Sequence, residues 1–297
     1  MMKRTDPFKV SSQVKDPNER RKSSLEKTYV HGVPLITILL MFLSLFFSAD
    51  LLSAYEAIPI IAGGTLRGTV QWKDAVIPDR PVHKVVKNED FCGKTFQDDA
   101  LVVNPENKGI QNVMVFLENI ERGRAPQSRY VDIVEKCQFK PRVMPAVKGS
   151  VLGFRHNDFI LHNIHGFWLK NNATIFNIGL PIHRWQQVVG QAIRHAGLFK
   201  LQCDIHTHMN GLIVSLEHDY FSVTGPDGVF EIKEIPPGKY RVVALQAGYR
   251  IVAWEKGEEG GDRPIYEPPH QTTQEVEIKA NEEAPINFKF GIEPSGN

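Results

Sequence analysis

Residues 197–216 read GLFKLQCDIHTHMNGLIVSL, in which two short apolar runs flank a polar loop. The runs at 198–203 and 211–216 have the length and composition of buried β-strands. One tight loop therefore brings together a thiol, an imidazole and a thioether. These groups belong to Cys203, His206 and Met209, in the spacing Cys-x-x-His-x-x-Met.

The chemistry of these three groups points to one metal. Soft sulfur ligands with imidazole select copper, and two His with one Cys and a weak axial Met form trigonal electron-transfer sites. The second histidine must come from another part of the chain. About forty residues earlier, residues 156–165 read HNDFILHNIH, and His162, followed by Asn163, is the best candidate. We therefore predict a mononuclear copper site whose ligands are His162, Cys203, His206 and Met209.

Each of these residues has a simpler interpretation when it is taken alone. A cysteine at a strand end is commonly a small buried core residue, and a methionine is commonly a core side chain. A single histidine is more often a surface residue than a ligand. Their combination at this spacing, with a strand on either side, favours metal binding over these alternatives.

The rest of the chain after residue 60 has the pattern of an all-β protein. Short apolar or alternating runs recur between Gly, Pro, Asn and Asp, and no stretch keeps a helical period. One or two helical turns are predicted near 187–193. The predicted strands are 65–72, 82–86, 100–103, 111–117, 131–134, 150–155, 198–203 and 211–216.

A second group of strands begins after the acidic and aromatic stretch 217–221. Residues 223–249 contain an Asp-Gly turn, an alternating strand, a Pro-Pro-Gly turn and a further strand. This pattern predicts a small β-sandwich over 218–297, which can share strands with the domain before it. The Gly-, Glu- and Pro-rich stretch 256–269 is interpreted as an exposed connection between strands.

The N-terminus has the pattern of an export signal. Eight basic residues lie in the first thirty, and residues 33–49 then read VPLITILLMFLSLFFSA. This order is typical of a signal peptide or a short signal anchor, and both forms stay open. We expect a leader over 1–57, contact with a membrane only through it, and a periplasmic or otherwise extracytoplasmic location.

The three cysteines divide in a way that fits export. Cys92 and Cys137 can pair in an oxidising compartment, which leaves Cys203 as an odd thiol that metal ligation would explain. The alternative is that all three are small buried residues.

The two ligand segments resemble the cupredoxins, small copper proteins such as plastocyanin and amicyanin. The resemblance covers roughly residues 130–217. It rests on His162-Asn163, on Gly197-Leu198-Phe199 before Cys203, and on the strand led by Gly211. It implies a Greek-key β-sandwich over 58–217 with a β extension at its N-terminus, and one type 1 copper.

More of the chain resembles a narrower group of exported bacterial proteins. These couple a cupredoxin-like domain to a carboxypeptidase-regulatory-like sandwich of prealbumin-like form. In that group the position of His208 is usually Trp, so this chain changes the aromatic surroundings of the copper and leaves the ligands intact. The matching segments are Thr69-Val70-Gln71-Trp72, Cys92-Gly93, 101–117 and Cys137-Gln138-Phe139-Lys140-Pro141.

Several functions are excluded or weakened by the same sequence. Lys and Arg number 35 against 34 Asp and Glu, so no basic field attracts nucleic acid. No nucleophile elbow, phosphate loop, zinc-protease helix or paired acid and base stands out, which argues against an enzyme. The remaining rival is a carbohydrate- or cell-envelope-binding module, for which Trp168, Trp185 and Trp254 are candidate contacts.

The resemblance implies electron transfer with a redox partner protein. Copper would cycle between Cu(I) and Cu(II) in a rigid β scaffold. We expect the imidazole of His206 to lie near the surface as the contact point for the partner. We expect Asn163 to tie the two ligand loops together.

Overall fold

The computed structural model describes residues 55–118, 120–180, 182 and 188–292, and it confirms an all-β protein. In this part of the chain the only helix is one short turn, α1 (Glu89–Cys92), so no helix there is long and apolar enough to cross a membrane. The predicted apolar leader segment at 33–49 lies outside the described residues.

Strands in the first half of the described chain are short apart from β2. They are β1 (Glu56–Ala57), β2 (Gly64–Trp72), β3 (Val82–Lys84), β4 (Thr95–Gln97), β5 (Val102–Val103), β6 (Ile110–Gln111), β7 (Val113–Glu118), β8 (Arg122–Gly123), β9 (Arg129–Val134), β10 (Phe139–Lys140), β11 (Val143–Val147) and β12 (Val151–His156).

The second half carries the longer strands. They are β13 (His162–Trp168), β14 (Thr174–Leu180), β15 (Val188–Ala192), β16 (Gly197–Gln202), β17 (Asn210–Leu216), β18 (Phe221–Val223), β19 (Val229–Ile235), β20 (Gly238–Gln246), β21 (Ile251–Lys256), β22 (Asp262–Tyr266), β23 (His270–Ile278) and β24 (Glu283–Phe290).

Strands β9 to β17 form two sheets, which we call the site sandwich. The first sheet has the order β10-β9-β12-β15 and the second the order β11-β17-β16-β13-β14. Their inward side chains make one apolar core, because alternate residues of each strand point to the same face. The core includes Phe139, Phe154, Phe199 and, at its edge, Cys203 and Met209.

Two further sheets form a second unit, which we call the flanking sandwich. Their orders are β18-β7-β20-β23 and β19-β2-β24. Strand β2 pairs with β19 and β24, and β7 pairs with β18 and β20. The core between the two sheets includes Leu66 and Val70 of β2, Phe230 of β19 and Phe288 of β24.

The predicted boundary at 217/218 therefore does not separate the two sandwiches. The segment 218–297 supplies β18 to β24, and β2 and β7 from the region before the site sandwich complete its sheets. The physical reason is burial: the inward residues of the alternating strand β2 and of the apolar strand β7 need the opposite sheet to leave water. The sequence allowed the C-terminal sandwich to share strands with the domain before it, and β2 and β7 are these shared strands.

The two sandwiches also share a small core of their own. It joins β7 and β20 of the flanking sandwich to β11 and β17 of the site sandwich through Met114, Leu245, Val143 and Leu212. All four side chains are at most 5% exposed. Strand β17, which follows the predicted ligand loop, thus contributes side chains both to the core of the site sandwich and to this shared core.

Two local predictions were wrong. The predicted helical turn near 187–193 is the strand β15, which pairs with β12 and extends its sheet. The predicted connection 256–269 contains β22, which pairs with β21 in a hairpin. Hairpin pairing outweighs the loop-like composition there, because the glycines are confined to the turn at 257–261.

The structure joins Cys92, at the end of α1, to Cys137 in the site sandwich by a disulfide. The bond closes a loop over a sequence separation of 45 residues. Cys203 remains a free, buried thiol.

Removing this disulfide with the paired changes Cys92→Ser and Cys137→Ser should lower the free energy of unfolding by about 2–5 kcal/mol, because the unfolded chain loses a cross-link. Urea denaturation of the metal-free protein measures the effect. Reductant should shift the wild-type midpoint toward that of the double variant and leave the variant unchanged. Equal midpoints for oxidised wild type and variant would contradict the prediction.

Asp132 on β9 gives the fold a pH dependence. Its side chain is 7% exposed, and its Oδ2 has no hydrogen-bond partner among the described residues. Burial raises the pKa of Asp132 from 3.8 to about 7. A carboxyl group with a raised pKa holds its proton in the folded state after the unfolded state has lost it, so stability falls as pH rises through this window.

Asp132→Asn should therefore become increasingly stabilising relative to wild type between pH 4 and about pH 7, by at most about 1.4 kcal/mol per pH unit. Chemical denaturation across this range tests the effect. Asp79→Asn, the same substitution at an exposed position, is the matched control. A constant difference between Asp132→Asn and wild type at all pH values would refute the assignment.

Candidate metal centre

The loop from Cys203 to Met209 closes on itself at the end of β16 and the start of β17. Gln202 and Asn210 are paired partners at the end of the ladder, so the loop residues begin and end side by side. The N–H of Cys203 donates to the carbonyl of Met209 at 3.3 Å, and the N–H of Met209 donates to the carbonyl of His206 at 2.9 Å. These bonds bring Cys203, His206 and Met209 close in space.

His162 comes from the other predicted segment, as the first residue of β13. Strand β13 pairs with β16, so the start of β13 lies beside the end of β16, where Cys203 follows. His162 and Cys203 have no exposed surface, and His206 is 1% exposed.

Three possible donor atoms converge in this buried space. His162 Nδ1 lies 3.0 Å from His206 Nδ1, and Cys203 Sγ lies 3.6 Å from His206 Nδ1 and 4.0 Å from His162 Nδ1. Side chains of this kind, with ligand atoms so close to one another, form a candidate metal-binding group. The two predicted segments therefore meet at their His and Cys side chains.

The far edges of the two imidazole rings are held by hydrogen bonds. Nε2 of His162 lies 2.9 Å from Asp158 Oδ2, and Nε2 of His206 lies 3.0 Å from Asn88 Oδ1. Asp158 in turn accepts the backbone N–H groups of Lys136 and Cys137. Because oxygen acceptors occupy both Nε2 positions, both Nδ1 atoms are left directed at Cys203.

The electrostatics of the site follow from burial and from Asp158. Burial, followed by the nearby His162 and His208, lowers the pKa of His206 to about 3, so its ring is neutral at neutral pH. Burial lowers the pKa of His162, but the hydrogen bond to Asp158 and the nearby Cys203 outweigh it and raise this pKa above its usual value. Burial raises the pKa of Asp158, but its hydrogen bonds to His162 and two backbone N–H groups leave it lowered.

Met209 is 1% exposed and lies in the same apolar core cluster as Cys203. The centre is therefore bounded by apolar side chains on the core side. Such surroundings exclude water and strengthen electrostatic interactions between the groups inside. The role of Met209 as the fourth ligand remains a prediction.

Asn163 bridges the two ligand-bearing segments. Its Oδ1 accepts the backbone N–H of Asp204 at 2.7 Å, and its Nδ2 donates to the Asp204 carboxylate at 2.6 Å. The same Nδ2 also donates to Asn177 on β14 at 2.8 Å. The residues that follow His162 and Cys203 in the chain are thus joined through the side chain of Asn163.

The expectation that His206 lies near the surface was wrong. Asn88, beside α1, covers its Nε2, and Thr207 packs against Gly257 and Gly261 in the turn between β21 and β22. Arg263 of β22 donates to the carbonyl of Cys203 at 2.8 Å. Segments far away in the sequence therefore cover this loop.

A second possible group, Cys137 with Asp158 and His162, shares a residue with the first. The sulfur of Cys137 is already bonded to Cys92. A disulfide sulfur is not a thiolate, and thiolate is the metal-binding form of cysteine. The group formed by His162, Cys203 and His206 is therefore the better candidate.

Sequence reasoning missed two residues that hold the two imidazole rings, Asp158 and Asn88. Asp158 lies four positions before His162, close enough to be suspected as its partner. Asn88 lies 118 positions from His206, and no local pattern connects the two residues.

Comparisons with known proteins give only distant similarity. No family model matches the chain, and a search of curated proteins finds no match. Similar solved structures include amicyanin from Paracoccus versutus, at 16% identity and TM-score 0.26, which covers 31% of this chain and 84% of that chain. A purple cupredoxin from Nitrosopumilus maritimus has 16% identity and TM-score 0.24, with 29% and 97% covered. These values carry no conclusion about activity.

Asn163→Ala should destabilise the metal-free protein by about 1–3 kcal/mol, because the N–H of Asp204 loses its acceptor in a partly buried place. Asn177→Ala, which removes a more exposed amide of the same network, is the matched control and should cost less. Chemical denaturation of both variants measures the difference. Equal losses would show that the bridge between the segments has no special role.

Proposed function

We propose that this protein is an exported mononuclear type 1 copper protein that transfers electrons. The observation that supports this most is the convergence of His162 Nδ1, His206 Nδ1 and Cys203 Sγ within 4.0 Å of one another. Two imidazoles with one thiolate are the ligand set of blue-copper sites, and the thioether of Met209 would be the fourth, weaker ligand.

The separations of the donor atoms fit one shared ion. Bonds of about 2.0 Å to imidazole and about 2.3 Å to thiolate, as found for zinc, would separate three ligands in a plane by roughly 3.5–3.7 Å. The two sulfur–nitrogen separations, 3.6 and 4.0 Å, lie on either side of the upper value, and the nitrogen–nitrogen separation of 3.0 Å is shorter than the lower one, so the two rings would move slightly apart around an ion. The chemistry of the donors also fits, because the ring of His206 is neutral at neutral pH.

A copper ion held here would supply one-electron chemistry by alternating between Cu(I) and Cu(II). The chain's own part is to hold the ligands in one arrangement. Asp158 and Asn88 fix the two rings, and Asn163 fixes the distance between the ligand segments. Full burial of the donors excludes water, so little must rearrange when the charge of the centre changes.

The proposed location is periplasmic or otherwise extracytoplasmic. The Cys92–Cys137 disulfide fits an oxidising compartment, where such bonds form and persist. The basic and apolar leader predicted over 1–57 supports export, as a cleaved signal or a tether. We propose a protein redox partner there, because a copper ion that alternates between Cu(I) and Cu(II) must exchange its electron with another redox group.

The visible spectrum of the copper-loaded full-length chain tests the function. Loading with Cu(II) should give an intense blue or green colour from thiolate-to-copper charge transfer, with about one copper per chain. Cys203→Ser should abolish the colour, because the thiolate is the donor in this transition. His195→Ala removes an exposed histidine away from the centre and should keep the colour.

A colourless protein that retains no copper would refute the proposal. If that protein bound a polysaccharide or cell-envelope material, the alternative interpretation as a binding module would take its place. Colour that survives in Cys203→Ser would show that copper binds elsewhere.

A further inference from the structure

A cavity of about 320 Å³ lies on the outer face of the site sandwich. Phe199 and Leu201 of β16 pack in the apolar core. Because alternate residues of a strand point to opposite faces, Lys200 and Gln202 of the same strand face outward, where they line the cavity. The segment 264–269, which begins in β22, forms another part of the wall. The volume is at the lower end of the range for small-molecule sites, about 300–1,000 Å³.

Apolar side chains form much of the cavity lining. They belong to Leu169, Leu212, Ala247, Pro264, Ile265 and Pro269. Asn172 and Pro268, which also line the cavity, are exposed, so the cavity opens to solvent. The burial of apolar surface against this lining favours the binding of a molecule with an apolar body.

The lining also carries one charge that no partner balances. Four charged residues line the cavity, and three of them form ion pairs. These pairs are Arg142 with Asp99 at 2.7 Å, Glu255 with Arg263 at 3.4 Å and Glu267 with Arg250 at 2.6 Å. The fourth, Lys200, has no ion-pair partner in the part of the chain that the structure describes. The lining residues and their partners thus leave one positive charge unbalanced, which favours an anionic ligand.

The ammonium group of Lys200 makes only a weak contact within the described chain. Its Nζ lies 5.0 Å from the centroid of the Phe167 ring. This contact to a ring face leaves the three N–H donors of the ammonium without an oxygen acceptor among the described residues. Burial is the largest effect on the pKa of Lys200 and lowers it, although Glu255 opposes the shift. A carboxylate beside the ammonium would accept its N–H donors and offset the cost of burying the charge.

Gln202 offers a second polar group to the cavity. The residue is 5% exposed, and its side-chain amide makes no hydrogen bond to the residues that the structure describes. Buried amides nearly always have a hydrogen-bond partner, so a ligand in the cavity would supply what this side chain lacks. The amide of Gln202 and the ammonium of Lys200 both donate hydrogen bonds, and both lie on the same face of β16. Two neighbouring donors suit the two oxygen atoms of a carboxylate.

We propose that this cavity binds a small organic acid with an apolar body. Lys200 and Gln202 hold its carboxylate, and the body packs against the apolar lining. Binding is noncovalent and requires neither copper nor electron transfer, so the inference goes beyond the proposed function. Gln202 and Asn210, which are paired at the two ends of the 203–209 loop, both line the cavity. A bound acid therefore lies against the base of the candidate metal centre.

Ligand-observed NMR titration of the full-length chain without metal tests the proposal with benzoate, phenylacetate and hexanoate. These acids have about eight to ten non-hydrogen atoms, and the cavity has the volume of about ten molecules of liquid water. At least one of the acids should bind with a Kd below about 1 mM. The corresponding amides, benzamide, phenylacetamide and hexanamide, should bind at least about tenfold more weakly, because they carry no charge.

Substitutions show whether the acid binds in this cavity. Lys200→Met keeps a long unbranched side chain without the charge and should weaken binding by about tenfold or more. Gln202→Leu, a second variant on the same face, should weaken binding by about threefold or more. Lys289→Met on β24 removes an exposed lysine of the flanking sandwich and is the matched control, which should change the Kd by less than about twofold.

A wild-type chain that binds none of the three acids would overturn the proposal, as would amides that bind as tightly as the acids. Equal Kd values for Lys200→Met and Lys289→Met would also overturn it, because the acid would then bind elsewhere. The chain carries no copper in this titration, so these outcomes are separate from the visible-spectrum test of the proposed function.

Discussion

The directions in which two imidazole rings point depend on hydrogen bonds at their far edges. Asp158 and Asn88 occupy the Nε2 positions of His162 and His206, so both Nδ1 atoms face the Cys203 sulfur. The candidate centre depends on this constraint, because a ring rotated about its Cβ–Cγ bond would turn its Nδ1 atom away from the Cys203 sulfur. The β scaffold places the residues, and these two bonds set their orientation.

The same supports connect the centre to the rest of the molecule. Asp158 receives the N–H of Cys137, whose sulfur is bonded to Cys92, and Cys92 donates its own N–H to the carbonyl of Asn88. The Cys92–Cys137 disulfide therefore links the segment that carries Asn88 to the segment whose N–H groups bind Asp158. Burying so many polar groups is costly unless each finds a partner, and the network supplies these partners. The candidate centre therefore depends on several distant segments of the chain and not only on the 203–209 loop.

Several strands and the meeting of the two candidate ligand segments could be predicted from the sequence. Strands such as β2, β12, β16 and β17 follow from local apolar patterns, and the meeting of His162 with the 203–209 loop follows from spacing typical of the cupredoxins. The covering of His206 could not be predicted, because Asn88 and the β21–β22 hairpin are close to it only in space. The pairing of β2 with β24 was missed for the same reason, since each strand alone has an ordinary alternating pattern.

The chain order of the flanking sandwich has a consequence for how the molecule assembles. The site sandwich is contiguous from β9 to β17, whereas Val70 of β2 pairs with Phe288 of β24 across almost the whole described chain. Contacts between distant segments form slowly, because a long loop must close first. During synthesis from the N-terminus, β2 and β7 therefore leave the ribosome before the strands with which they pair. Until these strands pair, their apolar side chains are exposed, and such exposure makes a nascent chain prone to aggregation.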